Sequence, residues 1–263
     1  MRFLLLAFLL SAVSLAEPPR HLPEVDAALD RGAYDEAVSL AERAVAADPR
    51  CSGCWHWLGK SYGLKAKHAA ILLQLPLARR CKAAFEKAVE LDGSNTGARL
   101  DLLSYYVKAP GLAGGSRKRA AEQVEALGRL SPARGHLAQA LTRLEAGDQA
   151  AAEAELKAAF EADPGDWRVL SAYTSHLVAR KRLPEALQLC DDAAARRPQV
   201  PGPRFLFARL ALESGQRYQD ALDRLTAFLE LPPPEGEGPT RAEALARREQ
   251  LLKKLGMGGR TGP

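Results

Sequence analysis

Two cysteines three positions apart are the residues whose type and spacing most directly suggest chemistry in this chain. Cys51 and Cys54 form a C-x-x-C motif at the predicted start of a helix, where the helix dipole favours a thiolate. In thioredoxin-like enzymes such a motif follows a strand, whereas a helix that ends at Asp48-Pro49 precedes it here. Three interpretations stay open: a local structural disulfide, a pair used in redox or metal chemistry, and two free thiols.

The other candidates for catalysis or metal binding are scattered along the chain. Cys81 and Cys190 occupy positions where small buried residues are expected. No two histidines have the spacing of a metalloprotease site; the five are His21, His56, His68, His136 and His176. The sequence contains no nucleophile elbow and no dinucleotide-binding fingerprint. It therefore predicts a protein that is not an enzyme and that uses neither a cofactor nor a metal.

Composition and charge favour a helical protein of the ordinary globular class. Charged residues make up 26% of the chain and apolar residues 47%. Alanine and leucine dominate, and no alternating run of β-branched residues predicts a sheet. The net charge of +5 is interspersed rather than gathered in a basic stripe with aromatic residues, so nucleic acid is not a predicted partner.

Residues 1–16 have the pattern of an export signal. Arg2 precedes an apolar run over residues 3–13, and Ser14-Leu15-Ala16 offers small residues at the −3 and −1 positions of a cleavage site. The run is too short for a transmembrane helix, which needs about 20 residues. We therefore expect a cleaved signal and a periplasmic or secreted protein with no stable membrane span. An uncleaved N-terminal anchor is the alternative.

Pairs of helices are the elements that position these residues. In the clearest pair, an apolar–small–aromatic series marks the first helix, and small and aromatic residues mark the second; the two series are Trp55, Leu58, Gly59 and Tyr62, and then Cys81, Phe85 and Ala88. Similar pairs end at prolines that are 32, 34 and 35 residues apart; these are Pro132, Pro164, Pro198 and Pro233. A period near 34 with these residue types resembles the tetratricopeptide repeat.

The resemblance implies an all-α fold, a right-handed superhelical solenoid of antiparallel helix pairs. About six pairs are expected over residues 17–233. Residues 234–263 are expected to contain a linker, a charged helix that caps the last exposed apolar face, and a flexible tail.

Two turns within the predicted pairs are longer than the repeat requires. Residues 65–80 carry an apolar cluster, and residues 109–116 form a glycine-rich loop; the apolar cluster consists of Ile71, Leu72, Leu73, Leu75 and Leu77. The cluster either lengthens the helices and packs on a neighbour, or it presents a hydrophobic contact surface to a partner. We expect both insertions at the same edge of the solenoid.

The resemblance also implies a mode of action. In tetratricopeptide-repeat proteins, the first helices of successive pairs line a concave groove that takes up an extended peptide or a partner helix. The corresponding positions here are polar and basic; they are His56, Lys60, Ser104, Lys108, Arg168, Ser171, Ser175 and Arg209. Such a set fits an acidic segment or a C-terminal carboxylate, and the alternative is that these positions are merely solvated.

The resulting hypothesis is a non-enzymatic scaffold or adaptor that binds a protein partner or peptide outside the cytoplasm. A thiol-redox or metal-handling protein that uses Cys51 and Cys54 is the first alternative. An auxiliary subunit for a separately encoded enzyme is the second.

Overall fold

The computed structural model describes residues 22–232 and 238–257. Thirteen α-helices lie within these two ranges: α1 (Pro23–Asp30), α2 (Tyr34–Ala47), α3 (Ser52–His68), α4 (Ile71–Leu91), α5 (Thr96–Lys108), α6 (Arg117–Leu130), α7 (Pro132–Glu145), α8 (Gln149–Ala162), α9 (Trp167–Ala179), α10 (Leu183–Arg196), α11 (Gly202–Ser214), α12 (Tyr218–Glu230) and α13 (Arg241–Lys254). A single 3-10 turn, Gly111–Ala113, lies between α5 and α6. No strand occurs in either range, and the predicted all-α helical solenoid is confirmed.

The helices form two layers. Each helix from α1 to α12 packs against the next helix in the sequence, which gives six pairs followed by α13. In addition, each first helix contacts the first helix of the next pair, in an unbroken series α1, α3, α5, α7, α9, α11 and α13. Within the described ranges, the second helices make no such contact with one another. The first helices are therefore the inner, concave layer of the curved stack, and the second helices are the outer layer.

Glycine and alanine allow this close packing. A Cβ atom on Gly59 of α3 would lie only 2.4 Å from Cδ1 of Phe85 on α4. A Cβ atom on Gly135 of α7 would lie 2.6 Å from the Cα atom of Gly128 on α6. Fully buried alanines recur in the second helices, for example at Ala88. Small side chains at these contacts explain why the apolar–small pattern in the sequence predicts helix pairs.

The second pair is longer than the others because of the insertion over residues 65–80. The helix α4 begins at Ile71 and runs for 21 residues, so most of the insertion is helical. Leu77 is buried against the solenoid, whereas Ile71, Leu72 and Leu73 are exposed. The interpretation that the cluster packs on the solenoid thus holds for Leu77, and the other end of the cluster is in contact with solvent.

The last helix covers the end of the solenoid. Helix α13 packs on α11 and α12 and buries Ala244 and Leu251. Thr240 begins it with a capping box, in which its side chain accepts a hydrogen bond from the Glu243 N–H and the Glu243 carboxylate accepts one from the Thr240 N–H. The predicted capping helix is therefore present at the expected place.

Several sequence predictions concern residues outside the described ranges. The export signal over residues 1–16, the linker residues 234–237 and the tail from residue 258 belong to this group. Among the helices of residues 22–232 and 238–257, none is both long and apolar enough to cross a membrane.

Candidate functional site

The predicted groove residues all lie on first helices, in the inner layer. His56 and Lys60 come from α3, Ser104 and Lys108 from α5, Arg168, Ser171 and Ser175 from α9, and Arg209 from α11. Lys108 and Ser175 are exposed, and His56 is buried. The other five are half-buried.

Two of these residues meet through a third that the sequence analysis did not single out. The His56 ring nitrogen Nε2 lies 2.7 Å from Oδ2 of Asp101 on α5. The Arg168 guanidinium donates two hydrogen bonds to the same carboxylate, at 2.9 Å from Nη1 to Oδ1 and at 3.1 Å from Nη2 to Oδ2. This cluster, which we call the Asp101 cluster, joins α3, α5 and α9 and so spans the second, third and fifth helix pairs.

The Asp101 carboxylate is stabilised in its ionised form. Burial on its own raises the pKa of this carboxyl group, but the Arg168 charge and the hydrogen bond and charge of His56 outweigh it, so that the pKa lies well below its usual range. A bidentate arginine–carboxylate contact is directional as well as strong, so it fixes both side chains in the groove. The predicted groove residues His56 and Arg168 are therefore engaged with the protein itself.

Local structure holds the ends of the Asp101 cluster in place. Asp166 caps α9, since its Oδ1 accepts hydrogen bonds from the N–H groups of Arg168 and Val169 at 2.9 and 3.1 Å. The same carboxylate pairs with Arg134 of α7. At the other end, Asn95 caps α5 and donates from its amide to Ser52 Oγ at the start of α3, at 3.0 Å. The Asn95 contact thus joins the first turns of α5 and α3, and the Asp166 contact joins the first turn of α9 to that of α7.

The sequence does contain a signal for Asp101. The residue stands between Leu100, Leu102 and Leu103, which are all buried in α5. A charged residue inside such an apolar run is expected to have a partner. Its partner Arg168 is 67 residues away in the chain. The sequence does not show how close the third and fifth helix pairs lie in space, so it does not identify this partner.

Arginines and aromatic rings lie together at the C-terminal end of the groove. The Arg209 guanidinium carbon is 6.0 Å from the ring centroid of Trp167, and that of Arg247 is 5.1 Å from the ring centroid of Phe205. Burial lowers the pKa of Arg209. The Nε atoms of Arg209 and Arg247 are buried and have no hydrogen-bond partner within residues 22–232 and 238–257. We call this group the arginine corner.

The first and last inner helices lie within electrostatic range of each other. Burial raises the pKa of Asp30 on α1, and Glu243 and Asp26 raise it further. Arg247 of α13 and Lys60 of α3 act in the opposite direction. Charges from α1, α3 and α13 thus act on the same carboxyl group.

The C-x-x-C cysteines form a disulfide in the structure. Cys51 is the N-cap of α3, and its Cα atom lies 5.2 Å from that of Cys54. Cys54 is completely buried, so thiol exchange at its sulfur needs a local opening of the helix start. Cys81 and Cys190 are free and buried, and burial raises the pKa of the Cys81 thiol to about 12. In the described part of the chain, no three His, Cys, Asp or Glu side chains come together in a way that could hold a metal ion.

Comparison with known proteins identifies the repeat. The family model of the tetratricopeptide repeat matches residues 22–70 and 137–201. No curated protein sequence matches the chain.

Solved structures similar to this one include two tetratricopeptide-repeat proteins and a pilus biogenesis factor. A thermophilic protein of this type from Thermus thermophilus, TTC0263, is 24% identical, with 73% of this chain and 97% of that chain covered and a TM-score of 0.47. PilW, a type IV pilus biogenesis factor, is 15% identical, with 78% and 89% covered and a TM-score of 0.40. YrrB, which has an unusual peptide-binding site, is 17% identical, with 80% and 97% covered and a TM-score of 0.37.

Proposed function

Because the chain carries tetratricopeptide repeats, we propose that it is a non-enzymatic scaffold that binds an extended peptide or a partner helix in its concave groove. One observation supports this most directly: the inner helices contact one another without interruption from α1 to α13. They form one continuous surface on which several pairs can contact the same ligand. The Asp101 cluster keeps this surface preorganised across three of the pairs, which lowers the entropic cost of binding.

The chemistry of the groove favours an acidic ligand. Three cations on the inner helices lie half-buried beside aromatic rings outside the Asp101 cluster: Lys60 at Trp57, Arg209 at Trp167 and Arg247 at Phe205. A carboxylate from a partner can form a charge-assisted contact with the Arg209 guanidinium, whose side chain is 24% exposed and whose intramolecular partner, the exposed Glu213, lies 3.7 Å from Nε. The neighbouring aromatic faces add apolar contact area beside the charge. We therefore propose an acidic segment or a C-terminal carboxylate as the bound group.

We further propose that the protein acts outside the cytoplasm, in the periplasm or as a secreted protein. The N-terminal pattern of residues 1–16 supports this location. The Cys51–Cys54 disulfide is also consistent with an oxidising compartment, since disulfides persist there.

Site-specific photo-crosslinking in the native cells tests the groove. A photoreactive amino acid is placed in the full chain at Ser104 or Ser175, on the inner layer, and at Lys157 as a control. Lys157 is exposed on α8, in the outer layer. We expect the same partner protein to be captured from both inner positions and not from the outer one. Capture from position 157 with equal yield would contradict binding in the groove.

Charge removal then tests the acidic ligand. The substitutions Lys60→Gln and Arg209→Gln together are expected to lower the crosslinking yield about ten-fold, since each removes a charge-assisted contact. The matched control is Arg43→Gln with Lys157→Gln, which removes two exposed outer cations. Arg168 is left unchanged because it neutralises Asp101. An unchanged yield in the first variant would exclude a role for these cations in binding.

A further inference from the structure

A group of exposed apolar side chains lies at one edge of the solenoid, away from the groove. The first turn of α4 exposes Ile71, Leu72 and Leu73 by 80%, 86% and 57%. Leu112, in the turn between α5 and α6, is 70% exposed. We call these four residues the apolar tip. Consecutive exposed aliphatic residues are unusual on a protein that meets only water.

The first turn of α4, which carries three of the four tip residues, belongs to the longest helix pair. Helices α3 and α4 have 17 and 21 residues, whereas each helix from α5 to α13 has 13 or 14. With a rise of about 1.5 Å per residue, the additional residues lengthen the two helices by roughly 5–12 Å. The first turn of α4 thus lies exposed at the end of this pair.

Contacts at the base of the tip fix its position. Leu77 is buried one to two turns further along the helix than the exposed residues, and it anchors α4 on the solenoid. Arg79 of α4 donates a hydrogen bond from Nη2 to the Leu112 carbonyl oxygen at 3.3 Å. The Tyr105 hydroxyl donates to the next carbonyl in the same turn, that of Ala113, at 2.7 Å. These bonds hold Leu112 beside the base of α4, so the tip exists before any partner binds.

The segments that carry the tip are uniformly cationic. Residues 65–85 and 107–121 contain nine lysines and arginines and no aspartate or glutamate. Three of the nine pair with acids on neighbouring segments: Lys65 with Asp35, and Lys82 and Arg119 with Glu86. The other six make no ion pair within the described residues; they are Lys67, Arg79, Arg80, Lys108, Arg117 and Lys118. The apolar tip with cations around it is complementary to a surface that carries negative charge at the outside and has an apolar layer below that charge.

We propose that this edge docks the protein, by its apolar tip, onto the surface of a membrane that contains anionic lipids. Successive residues of a helix point about 100° apart, so Ile71, Leu72 and Leu73 fan around more than half of the helix axis. A groove on a protein partner covers one face of a helix, whereas a lipid interface surrounds an inserted end from every direction. The lysine and arginine stems around the tip can lie along the interface with their charges at the headgroups.

Vesicle sedimentation with the full chain tests the proposal. We expect the protein to sediment with phosphatidylcholine vesicles that contain about one third phosphatidylglycerol, and at least ten-fold less with pure phosphatidylcholine, because the cationic rim needs an anionic surface. Raising the salt concentration to about 0.5 M is expected to release the protein, since it screens this attraction.

Two pairs of variants distinguish the contribution of the tip to vesicle binding from that of other exposed apolar and charged residues. The triple variant Ile71→Ser, Leu72→Ser, Leu73→Ser is expected to lower vesicle binding at least ten-fold. Its matched control removes three exposed apolar residues elsewhere, with Leu130→Ser, Val178→Ser and Leu245→Ser, and is expected to bind like the native chain. For charge, Lys67→Glu with Lys118→Glu is compared with Arg43→Glu and Lys157→Glu, and only the first pair is expected to weaken binding.

A fluorescent label shows whether the tip itself enters the lipid. With Leu72→Cys as the accessible thiol, an attached NBD group is expected to shift to shorter wavelength on anionic vesicles and to be quenched by spin-labelled lipids. The same label on Leu245→Cys, on α13, is expected to show neither change. Since the apolar residues 3–13 can also attach the full chain to vesicles, sedimentation without a response from position 72 would overturn the proposal.

Two further results would overturn the proposal in favour of another occupant. One is a concentration-dependent dimer that the triple serine variant abolishes, with no response to vesicles, which would assign the tip to self-association. The other is crosslinking from position 72 to a single protein in cells, again with no response to vesicles, which would assign it to a protein partner.

Discussion

At the scale of single residues, the concave side depends on a carboxylate that an arginine and a histidine share. Asp101 receives hydrogen bonds from Arg168 and contacts His56, and these residues come from three different helix pairs. Burial disfavours the ionised carboxylate, and the Arg168 charge together with the hydrogen bond to His56 outweighs this effect. If Asp101 is replaced, the loss of folding free energy therefore includes the cost of leaving the Arg168 charge half-buried without a counter-ion.

We expect Asp101→Asn to lower the free energy of unfolding by about 1–3 kcal/mol at pH 7, because Arg168 then lacks a neutralising carboxylate. The dependence on pH has a defined sign. The pKa of Asp101 is lower in the folded protein than its ordinary value of about 3.9, so its contribution to stability is present above about pH 5 and is lost as the pH falls. The difference between native chain and variant should therefore shrink between about pH 5 and about pH 2.

Denaturant titrations at several pH values measure this difference. Asp35→Asn is the control, since Asp35 is exposed and pairs with Lys65 at the surface; its effect is expected to stay under about 1 kcal/mol. An Asp101→Asn variant as stable as the native chain at pH 7 would show that the Asp101 cluster does not hold the groove together.

The cysteines give a second prediction at this scale. Burial raises the pKa of Cys81 to about 12 and also raises that of Cys190, while Cys51 and Cys54 are joined. Ellman's reagent at about pH 8 is therefore expected to find no reactive thiol in the folded protein. It should find two after denaturation and four after denaturation with a reductant, which corresponds to the two free and four total cysteines. Four thiols without a reductant would rule out the disulfide and favour the hypothesis of free thiols.

At the scale of helices, the sequence predicts most of what the structure contains, because each helix pair is local. The small residue at Gly59 and the aromatic residue at Phe85 are 26 positions apart and meet within one pair. The limits of the prediction also have a physical origin. Whether the insertion that starts at Ile71 packs or projects depends on how long the neighbouring helices are, and the pairing of Arg168 with Asp101 depends on the curvature of the whole stack.

The contact between α3 and α4 yields a prediction of its own. Gly59→Ala places a methyl group 2.4 Å from Cδ1 of the buried Phe85, so we expect a loss of about 1–3 kcal/mol in the free energy of unfolding. Gly128→Ala on α6 is the matched control, because its Cβ atom meets nothing within 4 Å. That change is expected to stabilise the protein by up to about 1 kcal/mol, through the better helix propensity of alanine.

Thermal or denaturant unfolding of the two alanine variants shows whether close packing requires glycine at position 59. If both stabilise the protein to the same extent, Phe85 can move away at no cost and close packing at Gly59 is not required. Opposite signs would support steric exclusion as the reason for glycine in the apolar–small–aromatic pattern.

At the scale of the whole molecule, the solenoid has no single centre. Each pair packs only on its neighbours, and the structure closes at its C-terminal end with α13. The stability of such an array is close to a sum of terms within pairs and between adjacent pairs. A substitution at one end is therefore expected to destabilise only the nearby pairs. The Asp101 cluster is the feature most able to spread the effect along the array, since it joins the second, third and fifth pairs.

Leu251→Ala tests how local the unfolding is. Leu251 is fully buried between α13 and the last pair, so its truncation is expected to cost about 2–5 kcal/mol in the stability of that end. In amide hydrogen exchange followed by mass spectrometry, α11, α12 and α13 should lose protection, while α3, α4 and α5 should keep it. Leu245→Ala, at an exposed position of the same helix, should change neither region. Equal loss along the whole chain would mean that contacts across the concave side make the array unfold as one unit, and the Asp101→Asn background should then restore local behaviour.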